Sequence, residues 1–124
     1  MDTTRTTGKT MEALAQCYLE QHQIKTYKTN FRSKMGEIDL ISFDPRQKIL
    51  IFVEVRFRKN AYFGGPLFSV TYQKQKKLIK TAKYFILQYT WARKWSCRFD
   101  VIGITNQPTG PHIEWVQDAF RATL

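Results

Sequence analysis

Two short stretches concentrate acidic side chains where apolar ones dominate: Gly36-Glu37-Ile38-Asp39-Leu40 and Phe52-Val53-Glu54-Val55-Arg56. Strand alternation would put Glu37 and Asp39 on one face of the first, and Glu54 and Arg56 on one face of the second. A short turn between them, Asp44-Pro45-Arg46-Gln47, suits a type I β-turn and makes the strands antiparallel neighbours with Asp39 and Glu54 roughly level. Withdrawing such carboxylates from water costs several kcal/mol each unless cations compensate. A hard divalent cation such as Mg²⁺, with Mn²⁺ as its substitute, is one compensation, since it prefers carboxylate oxygens and retains waters. A structural ion-pair cluster, with Arg56 or Arg58 neutralising the acids, is the other, and spacing alone leaves both open.

The elements that would hold these residues follow from periodicity. Met11, Leu14, Ala15 and Tyr18 recur at helical spacing, which predicts a helix over about residues 10–22 with Thr10 as its N-cap and residues 1–9 as a flexible tail. Glu12 falls at the margin of that apolar stripe, where a solvated helix glutamate is the ordinary reading. Residues 24–31 read as a short edge strand, and residues 36–43 and 48–57 as a hairpin. In its second strand Ile49, Ile51, Val53, Val55 and Phe57 line one face and Leu50 and Phe52 the other, so that strand is expected at the centre of the sheet, covered on both sides. After Gly64-Gly65-Pro66 a long helix is predicted over about residues 72–91. Its buried stripe would be Leu78, Ala82, Phe85, Ile86 and Tyr89, with Lys76, Lys80 and Lys83 opposite. Strands over residues 98–104 and 112–116 complete an α-β-β-β-α-β-β order. That order implies an α/β domain with a mixed five-stranded sheet flanked by helices. No repeat or linker divides residues 1–124, so a single domain is expected.

Charge narrows the partners. The chain carries 20 Lys and Arg against 10 Asp and Glu, a net charge of +10, and from Arg56 through Arg98 there are eleven cations and no acid. So one-sided a segment repels itself unless a polyanion or nearby acids compensate it. Nucleic acid fits better than a solvated basic surface, because the acidic residues are held apart elsewhere. A membrane fits poorly, as the basic helix has no exposed apolar face. The longest apolar run, residues 49–53, is too short to span a bilayer, and residues 1–10 lack the apolar stretch of a signal peptide. Two distant cysteines suit a reducing compartment, so a cytoplasmic protein is expected.

Other constellations carry less. Gly8-Lys9-Thr10 ends like a phosphate-binding loop but lacks its leading glycine and preceding strand. Cys17, His22, Cys97 and His112 lack zinc-site spacing. Asp100 reads as a structural partner of Arg98. Trp91, Trp95 and Trp115 could stack on bases, yet aromatic residues more often fill cores.

Taken together, a helix glutamate, then G-E-I-D-L-I, F-V-E-V-R, T-x-x-K-Q-x-K opening a helix, and R-F-D-V resemble the YraN-like family of small bacterial proteins over about residues 8–120. That family in turn resembles the PD-(D/E)XK nucleases of restriction-endonuclease-like fold, especially archaeal Holliday-junction resolvases. The resemblance implies a restriction-endonuclease-like fold, Asp39 and Glu54 as metal carboxylates, Glu12 as an auxiliary acid, and Gln73 and Lys76 near the site. It implies Mg²⁺-dependent cleavage of phosphodiester bonds in DNA rather than RNA, branched or damaged DNA included, and a homodimer. Arg56, Arg58, Lys59, Lys76, Lys80 and Lys83 would hold the backbone. Arg56 stands where the nucleases usually have lysine. Arginine keeps its proton, so it could orient a phosphate but not activate water. A catalytically inactive nucleic-acid-binding protein that keeps the fold is the alternative. An accessory protein docking an acidic partner is a third reading.

Overall fold

The computed structural model describes residues 3–58 and 70–122, with side chains from residue 9 onward. Five strands form one sheet in chain order: β1 (Lys25–Ser33), β2 (Gly36–Asp44), β3 (Ile49–Arg58), β4 (Ser96–Gln107) and β5 (Gly110–Phe120). Only β3 and β4 run parallel; the other neighbours are antiparallel. Helix α2 (Tyr72–Gln88) lies between β3 and β4 in the chain, as a parallel pair requires a crossover. Helix α1 (Thr3–Gln21) precedes the sheet.

Two apolar layers cover the sheet. On one face Ala15 and Leu19 of α1 pack with Leu40, Ile51, Val53, Ile102 and Ile104. On the other, Leu78, Ala82 and Phe85 of α2 pack with Ile38, Ile41, Leu50, Phe52, Phe99 and Val101. β3 is therefore central and buried on both faces, as its continuous apolar run predicts. The mixed five-stranded sheet flanked by helices is the architecture expected from the sequence.

Several boundaries move. Helix α1 begins at Thr3, so Thr10 lies inside it rather than capping it, and the segment expected as a tail is helical from Thr3. Helix α2 stops at Gln88, short of Trp91, because Thr90–Lys94 tighten into a 3-10 turn. The β2–β3 turn is built as expected on Asp44, whose carboxylate accepts the backbone N–H of Arg46 at 2.9 Å and of Gln47 at 3.4 Å. Gly64-Gly65-Pro66 and Lys59 lie outside the described residues. Among those described, no helix is long and apolar enough to cross a membrane.

Candidate functional site: an acidic fork in the sheet

β2 and β3 do not pair along their whole lengths. Their ladder runs from Asp44↔Ile49 to Leu40↔Val53 and ends there. Beyond it, among the described residues, the start of β2 pairs with β1, through Ser33↔Gly36, and the end of β3 with β4, through Arg58↔Thr105. The sheet forks, and Asp39 and Glu54 stand at the fork, each one residue past the last pair. The sequence expectation that they are level is met.

Asp39 holds the fork open. Its Oδ2 accepts the Val55 backbone N–H at 2.8 Å, taking a donor that a continued ladder would have used. The two-residue alternation expected for β2 breaks at this point, for Ile38 and Ile41 pack on the α2 side while Leu40 packs on the α1 side. Opposite the break, Asn30 of β1 has a positive φ of 52°, a left-handed conformation that asparagine tolerates. Glu37 and Asp39 therefore do not simply share one face.

The electrostatics are uneven. Burial pushes Asp39 up to about 8, reinforced by the Glu54 charge and by a hydrogen bond to Glu54 that needs a shared proton; the Val55 N–H only partly opposes this. Glu54, 4 % exposed, meets Arg56 Nη1 at 3.3 Å and Lys74 Nζ at 3.7 Å, both on Oε2. The expected Arg56 pairing exists, but it serves Glu54 and does not bring Asp39 down. Glu12 of α1 accepts a hydrogen bond from Asn30 Nδ2 at 3.0 Å. Its carboxyl is raised by burial and, more weakly, by Asp39 and Glu37, so α1 brings a further acid toward the fork. Glu37 itself lies 3.5 Å from Arg32.

Lys74 is the residue that sequence reasoning missed. Thr71 caps α2 by accepting the Lys74 backbone N–H at 3.1 Å, which fixes the first turn beside β3. Gly36 lets α2 approach: its φ is +154°, and a Cβ there would lie 3.2 Å from Thr81 Oγ1. The T-x-x-K and G-E-I-D-L patterns together hold the cation beside Glu54. Of the expected neighbours, Gln73 is exposed and Lys76 has its ammonium 4.6 Å from the Tyr72 ring centre. Lys80 and Lys83 are exposed on α2 as anticipated.

Asp100 has the structural role expected of it. Its buried carboxylate takes Arg98 Nε at 3.0 Å, Trp115 Nε1 at 2.9 Å and the Asp118 N–H at 2.9 Å. Cys17 and Cys97 are free thiols. Among the described residues no group of three or more His, Cys, Asp or Glu side chains is placed to hold a metal ion. Two carboxylates at an open fork still match what Mg²⁺ asks of a protein, since it keeps several waters.

An open mixed sheet with a helix on each face and an acid pair at a strand fork defines an α/β domain with a carboxylate-centred site. The chain belongs to the uncharacterised protein family UPF0102, the YraN-like family, whose model matches residues 11–104. It is 39 % identical to a UPF0102 protein of Nitrosococcus oceani over 96 % of this chain and 94 % of that one. It is 41 % identical to one of Psychromonas ingrahamii, over 92 % and 88 %. A Legionella pneumophila relative is 40 % identical over 96 % and 98 %. Among solved structures, SfsA of Pyrococcus furiosus in complex with Ca²⁺ aligns with a TM-score of 0.36 and 13 % identity. The alignment spans 92 % of this chain and 63 % of that one, and so loose a superposition carries no functional argument.

Proposed function

We propose that the protein is a metal-dependent nuclease that hydrolyses phosphodiester bonds in DNA, with its site at the fork between β2 and β3. The observation that carries this reading is Asp39: partly buried, raised to about 8, and facing Glu54 with no ion pair to a cation among the described residues. A fold that needed only an ion pair would have compensated it. Mg²⁺ or Mn²⁺ bound at the pair would lower the pKa of a coordinated water and stabilise charge on the phosphate.

The chain's own groups have separable tasks in this scheme. Asp39 and Glu54 would hold the metal, with the proton that Asp39 keeps at neutral pH released to make room for it. Glu12 adds negative potential from the α1 side. Arg56 steadies the phosphate oxygens as a fixed cation. Lys74 adds a second cation on the α2 side. Lys76, Lys80 and Lys83 on the exposed side of α2, with Arg58, supply sequence-independent backbone contacts. Arg56 beside Glu54 at 3.3 Å favours a second reading, a DNA-binding protein without catalysis.

Incubation with linear, flapped and four-way DNA, in Mg²⁺, Mn²⁺ or chelator, separates the two. Metal-dependent cleavage that falls by about 10²-fold or more in Asp39→Asn and in Glu54→Gln, with folding intact, is the expected result. Binding without cleavage of any of these DNAs selects the second reading. Cleavage unchanged in both variants removes the site from the fork.

A further inference from the structure

A second constellation lies away from the acid pair, along the margin between β1 and α2. Tyr27 occupies the bulge in β1 between Thr26 and Lys28 and is 43 % exposed. It stands edge-on to Trp91, itself 37 % exposed, with ring centres 5.0 Å apart. Beneath them Tyr27 meets Phe85 and Tyr89 at 6.0 and 5.9 Å, and Phe85 stacks on Tyr89 at 4.5 Å. Two large rings are thus held by a rigid aromatic base while still open to solvent, so little side-chain entropy remains for a ligand to remove.

Cations accompany the rings. The Lys28 ammonium lies 5.6 Å from the Tyr89 ring centre, and Arg93 and Lys94 follow Trp91 in the 3-10 turn. Toward the fork, exposed Lys77 lies beside Gly36, and Tyr84 meets Phe31 at 6.1 Å. Tyr27 is three residues along β1 from Asn30, which binds Glu12, a span of roughly 10 Å. The margin is thus a track that sets the partly exposed rings of Tyr27 and Trp91 among the cations Lys28, Lys77, Arg93 and Lys94.

We infer that this track binds an unpaired segment of nucleic acid, with bases stacked on Tyr27 and Trp91 and phosphates held by Lys28 and Lys77. Exposed π-faces beside flexible cations are the chemistry of single-strand binding, because every base has a face and every linkage a charge. A duplex hides its base faces and cannot use the rings. For the proposed nuclease the track selects substrates with a single-stranded segment, and in that respect it rests on the nuclease reading. Binding itself is read in chelator, where cleavage plays no part.

The test is fluorescence anisotropy in chelator with a labelled oligothymidylate of about 15 nucleotides and a blunt duplex of equal length. Tyr27→Ala and Trp91→Ala are each expected to weaken single-strand binding about tenfold while leaving duplex binding within about twofold. Tyr27→Phe and Trp91→Phe keep the ring and should retain the affinity. Tyr27→Leu keeps apolar volume without a π-face and guards against a packing defect. Single-strand binding by Tyr27→Leu at parental strength would overturn the track, as would an equal loss on duplex. A change in the protein's own association state, without loss of oligothymidylate affinity, would instead mark a protein interface and also overturn it. Ring-dependent binding by a protein that cuts no DNA leaves the track and removes the nuclease reading; cleavage indifferent to the rings does the reverse.

Discussion

Asp39 on β2 and Asp100 on β4 are both withdrawn from water at irregular points of the same sheet, and the chain treats them oppositely. Asp100 sits at the register shift between Phe99 and Val101 and receives a guanidinium, an indole N–H and a backbone N–H. Every demand of its charge is met from within the fold. Asp39 sits at the fork and receives the Val55 backbone N–H; among the described residues its one other hydrogen bond is that shared with Glu54, the carboxylate it faces. A buried acid that is fully satisfied explains itself as structure. One left short beside a second acid is where the proposed metal would supply what the fold does not.

The largest effect that tests this contrast falls on Asp100. Asp100→Asn replaces one acceptor oxygen by a donor in a pocket already filled with donors, and leaves Arg98, whose side chain is only 18 % exposed, without a counter-charge. Removing one partner of a buried pair costs about 3 kcal/mol or more. Urea unfolding should show that loss, and thermal unfolding a midpoint lower by about 10 °C. Full stability in Asp100→Asn would erase the distinction between the two aspartates.

Asp39 should give the opposite result, and pH makes the sign visible. Below about pH 4 both folded and unfolded chains keep the Asp39 proton. Between the unfolded value of 3.8 and the folded value of about 8, the unfolded chain has released it and the folded chain has not. The unfolded state then binds fewer protons, so stability falls as pH rises through this window, by at most about 1.4 kcal/mol per pH unit. Asp39→Asn removes that slope. Measured in chelator, the variant should equal the parent below about pH 3.8, already surpass it at about pH 5, and widen the gap until about pH 8. Parallel curves would mean that the fork tolerates the charge and has no need of a cation.

The sequence made one half of this contrast legible and obscured part of the other. Asp39 and Glu54 could be placed level because a four-residue turn fixes hairpin register, and β3 could be placed centrally because it is apolar on both faces. Asp100 could be given to Arg98 by its two-residue spacing in a strand. Lys74 could not be assigned, because helical periodicity fixes which side of α2 is buried but not which residue its first turn holds over the sheet. Gln73 and Lys76, one and two positions away, were equally plausible there. The kink at Asn30 was hidden because Thr29-Asn30-Phe31 reads as ordinary alternation, whereas a positive φ reverses it. The first turns of α1 carry no apolar period, so nothing in residues 3–9 announced a helix.

The smallest effect, and the sharpest on how far the site extends, belongs to Glu12. It touches the fork only at a distance: its carboxylate is held by Asn30, and its proton affinity feels Asp39 and Glu37 less than its own burial. A structural glutamate in that position would matter through the Asn30 hydrogen bond, which Glu12→Gln can retain through its amide oxygen. An auxiliary acid would matter through its charge, which Glu12→Gln removes. A charge at partly screened separation is worth about 1 kcal/mol. Glu12→Gln should therefore leave the melting temperature where it is and weaken Mg²⁺ binding about fivefold, read by calorimetry or by the metal concentration that gives half-maximal cleavage. Asn30→Ala, which removes the hydrogen bond and keeps the charge, should leave metal affinity closer to the parent than Glu12→Gln does. If the two variants change places, with Asn30→Ala costing metal affinity and Glu12→Gln costing none, Glu12 serves only to pin β1 to α1 and the site ends at Asp39 and Glu54.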